Sequence, residues 1–310
     1  MNDVPRRPTN LPSTAEATDP LPTSVGQGQE AVGVNRDAAD TRPALLVSYF
    51  YLDPFLKNRH RYAYRDWVMD SGAFSAHASG VPIDLDAYMA RCLELMAADP
   101  MLIEVYALDV IGDWRASLAN TERMWAAGIP AIPCYHVGEP ESVLIGLARD
   151  YPKIALGGAV MYRAKDRWAA QCFARVWPKP IHGFGFGAEK SIMGLPWHSV
   201  DATNWEVSPC KYGLWASFGL MSVRGSKQNL RAEVEWHLAL ERRARAKWRP
   251  QMEQIAATPP CVRPGLGDGR PKTAAPTVRL SVASCGDHPA GRYLATFDLA
   301  RSPSPGGTEP

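Results

Sequence analysis

The sequence has no closely spaced cysteines, no long apolar run and almost no excess of one charge. Its six cysteines lie 24 to 51 residues apart, whereas zinc ribbons need Cys-x-x-Cys pairs. No apolar stretch approaches the ~18 residues of a membrane span, and the N-terminal region lacks the apolar segment of a signal peptide. We therefore expect a cytoplasmic protein with no membrane partner, whose thiols stay free and mostly buried.

The charge balance excludes few partners. Lys and Arg number 34 against 32 Asp and Glu, so the formal net charge is +2. A balance this close to zero neither demands nor excludes a nucleic-acid partner. Hydrophobic residues make up 46% of the chain without a short repeat, which excludes a collagen-like, coiled-coil or wholly disordered protein.

Proline and tryptophan are separated along the chain. Six of the 27 prolines lie near its start and ten near its end, whereas all ten tryptophans lie between Trp67 and Trp248. This distribution predicts a disordered tail over residues 1–42, a folded domain over 43–250 and a mostly disordered tail over 251–310. In the second tail, a strand could form at two short apolar pieces, residues 278–282 and 293–299.

Between the tails, apolar runs of strand length alternate with segments of helical periodicity. The predicted strands are 44–52, 66–71, 103–110, 130–137, 153–158, 180–186, 199–203 and 213–218. The predicted helices are 84–98, 113–127, 141–150, 166–177 and 226–247. Continuous apolar strands between helices indicate a parallel sheet covered by helices. Eight strands in about 200 residues predict an α/β fold, a compact (β/α)8 TIM barrel with disordered N- and C-terminal tails.

Polar residues and glycines end several of the predicted strands. They are Asp70, Asp109, His136, Gly157, Gly158, Gly185 and Asp201. Parallel barrels carry their chemistry at the carboxyl ends of the strands, so we expect these residues to face one cup. Each alone has a structural explanation, because such an aspartate often caps a helix and a glycine pair often forms a turn. Together they favour a functional site, since buried carboxylates are costly unless paired or used.

The three aspartates suit glycosyl transfer. In a retaining double displacement, one carboxylate attacks the anomeric carbon and another moves the proton, at a separation of about 5–5.5 Å. The third can accept hydrogen bonds from N–H groups of a ligand, and Phe74, Tyr106 and Phe186 could enclose a flat ligand. One histidine and scattered aspartates do not form a recognisable zinc or iron site, so we predict neither a metal nor a cofactor.

Six short motifs, in the same order, resemble those of the tRNA-guanine transglycosylases. They stand where that family has its DSGG motif, its base-reading aspartate, its glutamine turn, its GGLAVG loop, the stretch before its nucleophile and the nucleophile itself. The matching segments are residues 70–74 (DSGAF), 107–109 (ALD), 135–136 (YH), 156–160 (LGGAV), 183–187 (GFGFG) and 199–201 (SVD). The resemblance covers about residues 44–220.

The closer resemblance is to the phage and bacterial branch of that superfamily, which installs 7-deazaguanine bases in DNA. The sequence lacks the CxCxxC…H zinc motif of the tRNA enzymes, and residues 203–205 (TNW) replace their PTR segment. The resemblance implies a DNA-guanine transglycosylase that exchanges guanine in DNA for a 7-deazaguanine base, such as 7-cyano-7-deazaguanine, through a covalent Asp–deoxyribose intermediate. Its partners would be DNA with a flipped-out guanine and the free deazaguanine base.

The resemblance also implies a role for each matched residue. Asp201 would attack C1′ of the target nucleoside. Asp70 would be the general acid and base for the departing guanine and the incoming base. Asp109 would read the N1 and N2 edge of the base, and His136 stands in place of the family's glutamine. The implied base-binding residues are Ser71, Phe74, Asp109, His136, Gly157, Gly158 and Gly185.

A base inside a duplex cannot reach such a cup, so the target must be flipped out or single-stranded. Contacts to the nucleic-acid backbone must offset the cost of flipping. A basic cluster with interleaved tyrosines precedes Asp70 and predicts these contacts at Arg59, Arg61 and Arg65. A second basic cluster, at residues 242–249, is explained equally well as a solvated helix face.

Three alternative functions stay open. A tRNA-guanine transglycosylase acting on RNA would share the mechanism, and a barrel glycoside hydrolase would share the paired carboxylates. A non-catalytic nucleic-acid-binding module would share only the fold. The sequence also leaves open whether the chain forms a homodimer.

Overall fold

Eight parallel strands form the central sheet of the protein. The computed structural model describes residues 42–61, 63–203, 205, 208–209, 214–218, 221–222, 227–259 and 279–283. Seven strands of the sheet come from the predicted domain: β1 Ala44–Ser48, β2 Trp67–Asp70, β3 Leu102–Val105, β4 Cys134–His136, β5 Ile154–Gly157, β6 Ile181–Gly183 and β7 Ser199–Ala202. A short antiparallel pair follows, β8 Leu214–Trp215 and β9 Met221–Ser222. The eighth parallel strand is β10, Arg279–Ala283.

Helices alternate with these strands. They are α1 Leu52–Asn58, α2 Ala73–Ser79, α3 Leu85–Ala98, α4 Trp114–Ala126, α5 Glu141–Asp150, α6 Lys165–Val176, α7 Glu189–Gly194 and α8 Lys227–Ala257. Single-turn 3-10 helices also occur, at Tyr49–Tyr51, Arg59–Arg61 and Ala216–Phe218. Aspartates at helix starts act as N-caps, as at α4, where Asp113 accepts hydrogen bonds from the Arg115 and Ala116 amides at 3.0 and 3.1 Å. The α/β alternation predicted from the sequence is therefore confirmed.

The strand order places consecutive strands β3 and β4 at the two ends of the sheet. The order is β3-β2-β1-β10-β7-β6-β5-β4, and every neighbouring pair is parallel. An isolated parallel bridge joins Tyr106, just after β3, to Ile132, just before β4. Two backbone hydrogen bonds support it, from Ala107 N to Ile132 O and from Ile132 N to Val105 O, each of 2.9 Å.

Both faces of the strands carry buried apolar side chains, as a fully covered parallel sheet requires. Val47, Trp67 and Met69 belong to a large cluster shared with the helices. Their strand neighbours Leu46 and Val68 belong to a second, smaller cluster. Successive side chains of a strand point to opposite faces, so the two clusters lie on opposite sides of the sheet.

The eighth parallel strand differs from the prediction. The predicted strand at 213–218 is extended only at Leu214–Trp215, where it pairs antiparallel with β9. The Glu233 carboxylate of α8 accepts hydrogen bonds from the amide and hydroxyl of Ser217 at 2.7 and 2.6 Å, and these contacts hold the following residues in a 3-10 turn. β10, between β1 and β7, takes the expected place in the sheet.

The remaining sequence predictions concern the tails, the thiols and the membrane. Residues 1–41 and most of the segment after 259 lie outside the described residues. Cys92, Cys134 and Cys172 are buried free thiols, as expected, and the other three cysteines lie outside the described residues. None of the described helices combines the length and apolar character that crossing a membrane requires.

Candidate functional site

The carboxyl ends of the parallel strands bring the predicted polar residues to one edge of the sheet. β2 ends at Asp70, β4 at His136 and β5 at Gly157. Asp201 is the third residue of β7, and Asp109 follows β3 by four residues. In a parallel sheet this edge is the usual place of a binding site.

A tight turn holds Asp70 at this edge. Its Oδ2 accepts a hydrogen bond from the Gly72 amide at 3.0 Å. Gly72 has φ +77°, and a Cβ there would lie 2.7 Å from Ser48 Oγ, so the turn requires glycine. The neighbouring Ser71 is 1% exposed, and its Oγ accepts a hydrogen bond from the Ala73 amide at 3.4 Å. Ser71 therefore supports the turn, and its hydroxyl is not open to solvent.

The Asp109 and Asp201 carboxylates act electrostatically on Asp70. Burial, with smaller contributions from the Asp109 and Asp201 carboxylates, raises the pKa of Asp70 to about 7, although the Gly72 amide opposes the shift. Burial also raises the pKa of Asp109. These residues come from positions far apart in the chain, so the fold gathers carboxylates that the sequence separates. A pKa near 7 lets Asp70 hold or release a proton at neutral pH.

Asp201 is buried, and among the described residues one oxygen of its carboxylate has one hydrogen-bond donor and one longer contact to a histidine nitrogen. Its Oδ1 accepts the Gly185 amide at 3.0 Å and lies 3.4 Å from Nε2 of His182. Gly185 has φ +74°, and a Cβ there would approach Val160 Cγ2 to 2.7 Å. The Lys165 ammonium donates to the Gly185 carbonyl at 3.0 Å. The predicted residue Gly185 therefore positions the carboxylate through its amide.

His136 lies between two carboxylates. Its Nε2 is 3.2 Å from Asp109 Oδ2, and its Nδ1 is 3.0 Å from Glu139 Oε1. The Cys134 sulfur and then the two hydrogen-bonded carboxylates raise the pKa of His136 above its usual range. A ring with an acceptor at each nitrogen is held as the imidazolium, a donor at both ends. Sequence reasoning missed Glu139, although its spacing of three residues from His136 was a usable signal.

The glycines of β5 allow close packing around this histidine. A Cβ on Gly157 would lie 2.7 Å from Cys134 Sγ and 3.1 Å from His136 Cδ2. Gly158 has φ +68° and is exposed, so its backbone is accessible at the strand edge. The turn expected at this pair is therefore present at Gly158, and a close approach of its backbone to a ligand stays a prediction.

Three side chains of the site could supply metal ligands. An oxygen of Asp109, the sulfur of Cys134 and a ring nitrogen of His136 lie within 4.8 Å of one another, and this is a donor set that zinc accepts. Two observations weigh against the fit. The Asp109 and His136 atoms already share a hydrogen bond, and burial raises the pKa of the Cys134 thiol to about 12, whereas a metal needs the thiolate. Our prediction of no metal stays a prediction.

The aromatic residues proposed to enclose a ligand are distributed differently from expectation. Phe74 is 74% exposed at the start of α2. Tyr106 and Phe186 are buried, and their rings pack on neighbours, Tyr106 on His182 at 4.9 Å and Phe186 on Trp197 at 4.6 Å between ring centroids. Of the three, only Phe74 is accessible to a ligand, because Tyr106 and Phe186 are buried in the packed interior.

Of the three arginines predicted to contact nucleic acid, two form salt bridges within the protein and one is exposed. Arg59 forms a salt bridge with Asp99. Arg65 is nearly buried and contacts Asp66 and Glu241 at 3.2 and 3.1 Å. Arg61 is exposed. The first two arginines have structural roles in the chain itself, and a contact of any of the three with nucleic acid stays a prediction.

Comparison with known proteins identifies no family for this chain. No family model matches the chain, and neither the curated proteins nor the solved structures provide a match.

Proposed function

We propose that the protein is a DNA-guanine transglycosylase that exchanges guanine for a 7-deazaguanine base. The observation that carries the proposal is the gathering of Asp70, Asp109 and Asp201 at the carboxyl ends of the parallel strands, where burial and the other two carboxylates raise the pKa of Asp70 to about 7. A retaining double displacement needs one carboxylate to attack and a second to move a proton, and a pKa near 7 suits Asp70 for the second role. The sequence motifs described above connect this chemistry with guanine exchange.

We also propose that the sheet closes into a (β/α)8 barrel. The Tyr106–Ile132 bridge supports closure between the two ends of the strand order. Continuing the observed register from Ser48 once around the eight strands leads back to β1 eight residues before Ser48. Eight strands with a stagger of eight residues is the geometry of (β/α)8 barrels.

In the proposed reaction, an oxygen of Asp201 forms a bond to C1′ while the bond from C1′ to guanine N9 breaks. The electron pair leaves with guanine, and Asp70 in its protonated form supplies the proton that neutralises the leaving base. Asp70 then accepts the proton of the incoming 7-deazaguanine as its nitrogen attacks C1′ and releases Asp201. The same carboxylate thus serves as acid and then as base, which a pKa near neutrality favours.

Base recognition in this proposal uses the histidine and its two carboxylates. Asp109 would accept hydrogen bonds from the N1 and N2 groups of guanine, and His136 would hold Asp109 in place beside the base. The exposed backbone of Gly158 would approach the carbonyl edge. The Asp109–His136–Glu139 arrangement supports this assignment, because it fixes a carboxylate acceptor at the carboxyl ends of the strands.

Exposed apolar side chains at the strand edge support a nucleic-acid substrate. The loops after β2, β3 and β5 carry the large exposed residues Phe74, Val110, Ile111, Val160, Met161 and Tyr162. Apolar side chains of this kind can stack on bases or fill the space that a flipped base leaves. The choice of DNA over RNA depends on the resemblance alone.

The test is a base-exchange assay with radiolabelled guanine and, separately, 7-cyano-7-deazaguanine. We expect label in a DNA duplex or single strand, and none with Asp201→Asn or Asp70→Asn. Asp113→Asn, which alters an exposed helix cap, is the matched control and should exchange normally. Label in tRNA but not DNA would favour the RNA alternative, and cleavage of oligosaccharides without base exchange would overturn the proposal.

A further inference from the structure

A buried chain of polar side chains leads from the sheet interior to Asp201. The Lys153 ammonium contacts Glu104 Oε2 at 2.7 Å and Ser199 Oγ at 3.1 Å. Ser199 Oγ lies 2.8 Å from Nδ1 of His182, and Nε2 of His182 lies 3.4 Å from Asp201 Oδ1. Ser199 and Asp201 are two residues apart in β7 and so face the same side of the strand.

The surroundings of His182 restrict its protonation. The ring is fully buried between the rings of Tyr106 and Phe184, at centroid distances of 4.9 and 4.6 Å. Burial lowers the pKa of His182, and the Lys153 charge acts in the same direction against the pull of Asp201 and Glu104. The imidazole is therefore neutral, with a proton on one nitrogen only.

The donors and acceptors along this series of hydrogen bonds determine which ring nitrogen of His182 carries the proton. A lone pair on Nε2 would repel the carboxylate oxygen of Asp201, so Nε2 carries the proton and Nδ1 is the acceptor. Ser199 then donates its hydroxyl proton to Nδ1. The ammonium of Lys153 can only donate, so it occupies a lone pair of Ser199 Oγ and leaves the hydroxyl proton for the histidine.

We propose that Glu104, Lys153, Ser199 and His182 form a positioning chain that directs the Nε2–H of His182 at Oδ1 of Asp201 and leaves Oδ2 as the attacking atom. This inference rests on the proposed function in so far as it assigns an attacking atom. The Gly185 amide donates to the same oxygen, Oδ1, and among the described residues no hydrogen bond reaches Oδ2. When Oδ2 forms the ester bond, Oδ1 becomes the carbonyl oxygen and keeps both donors.

The 3.4 Å contact between His182 Nε2 and Asp201 Oδ1 is longer than a normal hydrogen bond. His182 Nε2 makes no full hydrogen bond with any of the described groups, although burial makes an unsatisfied donor costly. Hydrogen bonds of catalytic groups are often long in free enzymes and shorten in the complex. Asp201 is the group within reach, so closing this gap would satisfy the donor and fix the carboxylate.

A spectroscopic test decides the hydrogen-bond chain without any assay of activity. In the intact protein labelled with 15N-histidine, the signal lost in His182→Gln identifies His182 among the seven histidines. We expect the neutral tautomer with the proton on Nε2, and a changed signal in Ser199→Ala. Ser191→Ala, which replaces another buried serine, should leave the signal unchanged. A proton on Nδ1, an imidazolium, or no response to Ser199→Ala would overturn the proposal.

A kinetic test decides whether the chain acts on Asp201. Gln at position 182 can place an N–H near the position of Nε2, whereas Leu cannot. We expect His182→Leu to slow formation of the covalent intermediate about 100-fold, the cost of losing one well-placed donor, with unchanged affinity for the free base. His182→Gln should recover most of the rate.

His237→Gln is the matched control, because His237 is a buried histidine on α8 that is bonded to the Glu233 carbonyl. Equal losses of rate in His182→Leu and His182→Gln would show that His182 acts only through packing and would overturn the proposal. If the wild-type protein forms no covalent intermediate, the proposed function fails, and the spectroscopic result still decides the chain.

Discussion

Two groups of buried charges lie along the same strands, and they differ in how their charges are balanced. In the interior, Glu104 is paired with Lys153 at 2.7 Å, and His198 lies 3.8 Å from the other Glu104 oxygen. At the carboxyl ends of the strands, His136 contacts Asp109 and Glu139, whereas among the described residues neither Asp70 nor Asp201 forms a salt bridge with a lysine or arginine.

The difference separates charge that is balanced inside the protein from charge that, under the proposed function, a ligand would balance. The interior group is balanced by its own neighbours, as buried ions must be if they are to contribute to stability. The group at the carboxyl ends of the strands carries an excess of negative charge. Burial raises the pKa values of Asp70 and Asp109, at Asp70 together with the neighbouring carboxylates and at Asp109 against the opposing effect of His136. Uncompensated carboxylates in an accessible position mark a functional site, because the compensating donors come with the ligand.

Breaking the interior pair should have the largest effect on stability. Lys153→Met leaves the Glu104 carboxylate buried without its cation, and we expect a loss of about 3–5 kcal/mol in the free energy of unfolding. Urea denaturation of wild type and variant measures this loss. Lys190→Met removes an exposed lysine and should change stability by less than about 0.5 kcal/mol. A loss below about 1 kcal/mol for Lys153→Met would show that the interior pair is not needed for balance.

Adding one methyl group at Gly157 should have the next largest effect on the free energy of unfolding. In Gly157→Ala the new Cβ would lie 2.7 Å from Cys134 Sγ, and we expect a loss of about 1–3 kcal/mol from overpacking. Gly146→Ala is the control, since a Cβ there meets no atom within 4 Å. It should gain about 0.5–1 kcal/mol from helix propensity in α5. Equal effects in the two variants would mean that the edge is not tightly packed around His136.

Removing an edge carboxylate should stabilise the protein, with a defined pH dependence. The pKa of Asp70 is about 7 in the folded protein and about 3.9 in an unfolded chain. The unfolded state therefore ionises first, so wild-type stability falls as pH rises from about 4 to 7. We expect Asp70→Asn to match wild type below pH ~4 and to exceed it by about 1–2 kcal/mol above pH ~7, a value reduced for the partial exposure of the carboxylate.

Chemical denaturation at pH 4 and at pH 8 measures this difference. Asp113→Asn, at an exposed cap, is the control for general effects of removing a charge. Asparagine caps a helix about as well as aspartate, so it should lose only the favourable charge at the start of α4, about 0.3–1 kcal/mol at pH 8. A gain for Asp70→Asn that is the same at both pH values would contradict the raised pKa.

The smallest expected effect concerns DNA binding by the arginines, some of which are paired with acidic residues of the protein while another is exposed. Arg59 and Arg65 are paired within the protein, whereas Arg61 is exposed. We expect Arg61→Gln to weaken DNA binding modestly and to reduce the slope of log affinity against log salt by about 1. Titrations with a labelled oligonucleotide at several salt concentrations measure the slope. An unchanged slope would remove Arg61 from the interface.

Much of the fold followed from hydrophobic periodicity. The runs around β1 to β7 are long enough and bounded clearly enough to locate seven parallel strands, and Asp113 was recognisable as a cap. β10 was harder, because a five-residue piece between proline-rich segments becomes a strand only through its partners β1 and β7. The strand predicted at 213–218 was wrong for most of its length because of another tertiary contact. The Glu233 carboxylate accepts a hydrogen bond from Ser217, which lies in a turn.

The candidate site was predictable in composition but not in geometry. Strand ends located Asp70, Asp109, His136 and Asp201, because polar residues after apolar runs are visible in a sequence. The role of Gly185 as a donor to Asp201 and the burial of Ser71 depend on turns that no local pattern specifies. His182 was missed as well, because a histidine within an apolar run gives no sign of which strand residues surround it.

The most direct test of the central claim is the intact mass of the protein after reaction with a guanine-containing DNA oligonucleotide and a denaturing quench. We predict an added mass equal to the oligonucleotide minus one guanine, located by peptide mapping to Asp201 and absent in Asp201→Asn. The adduct should disappear when excess 7-cyano-7-deazaguanine is added. An adduct that persists in Asp201→Asn, or exchange of base without any adduct in the wild-type protein, would contradict the account.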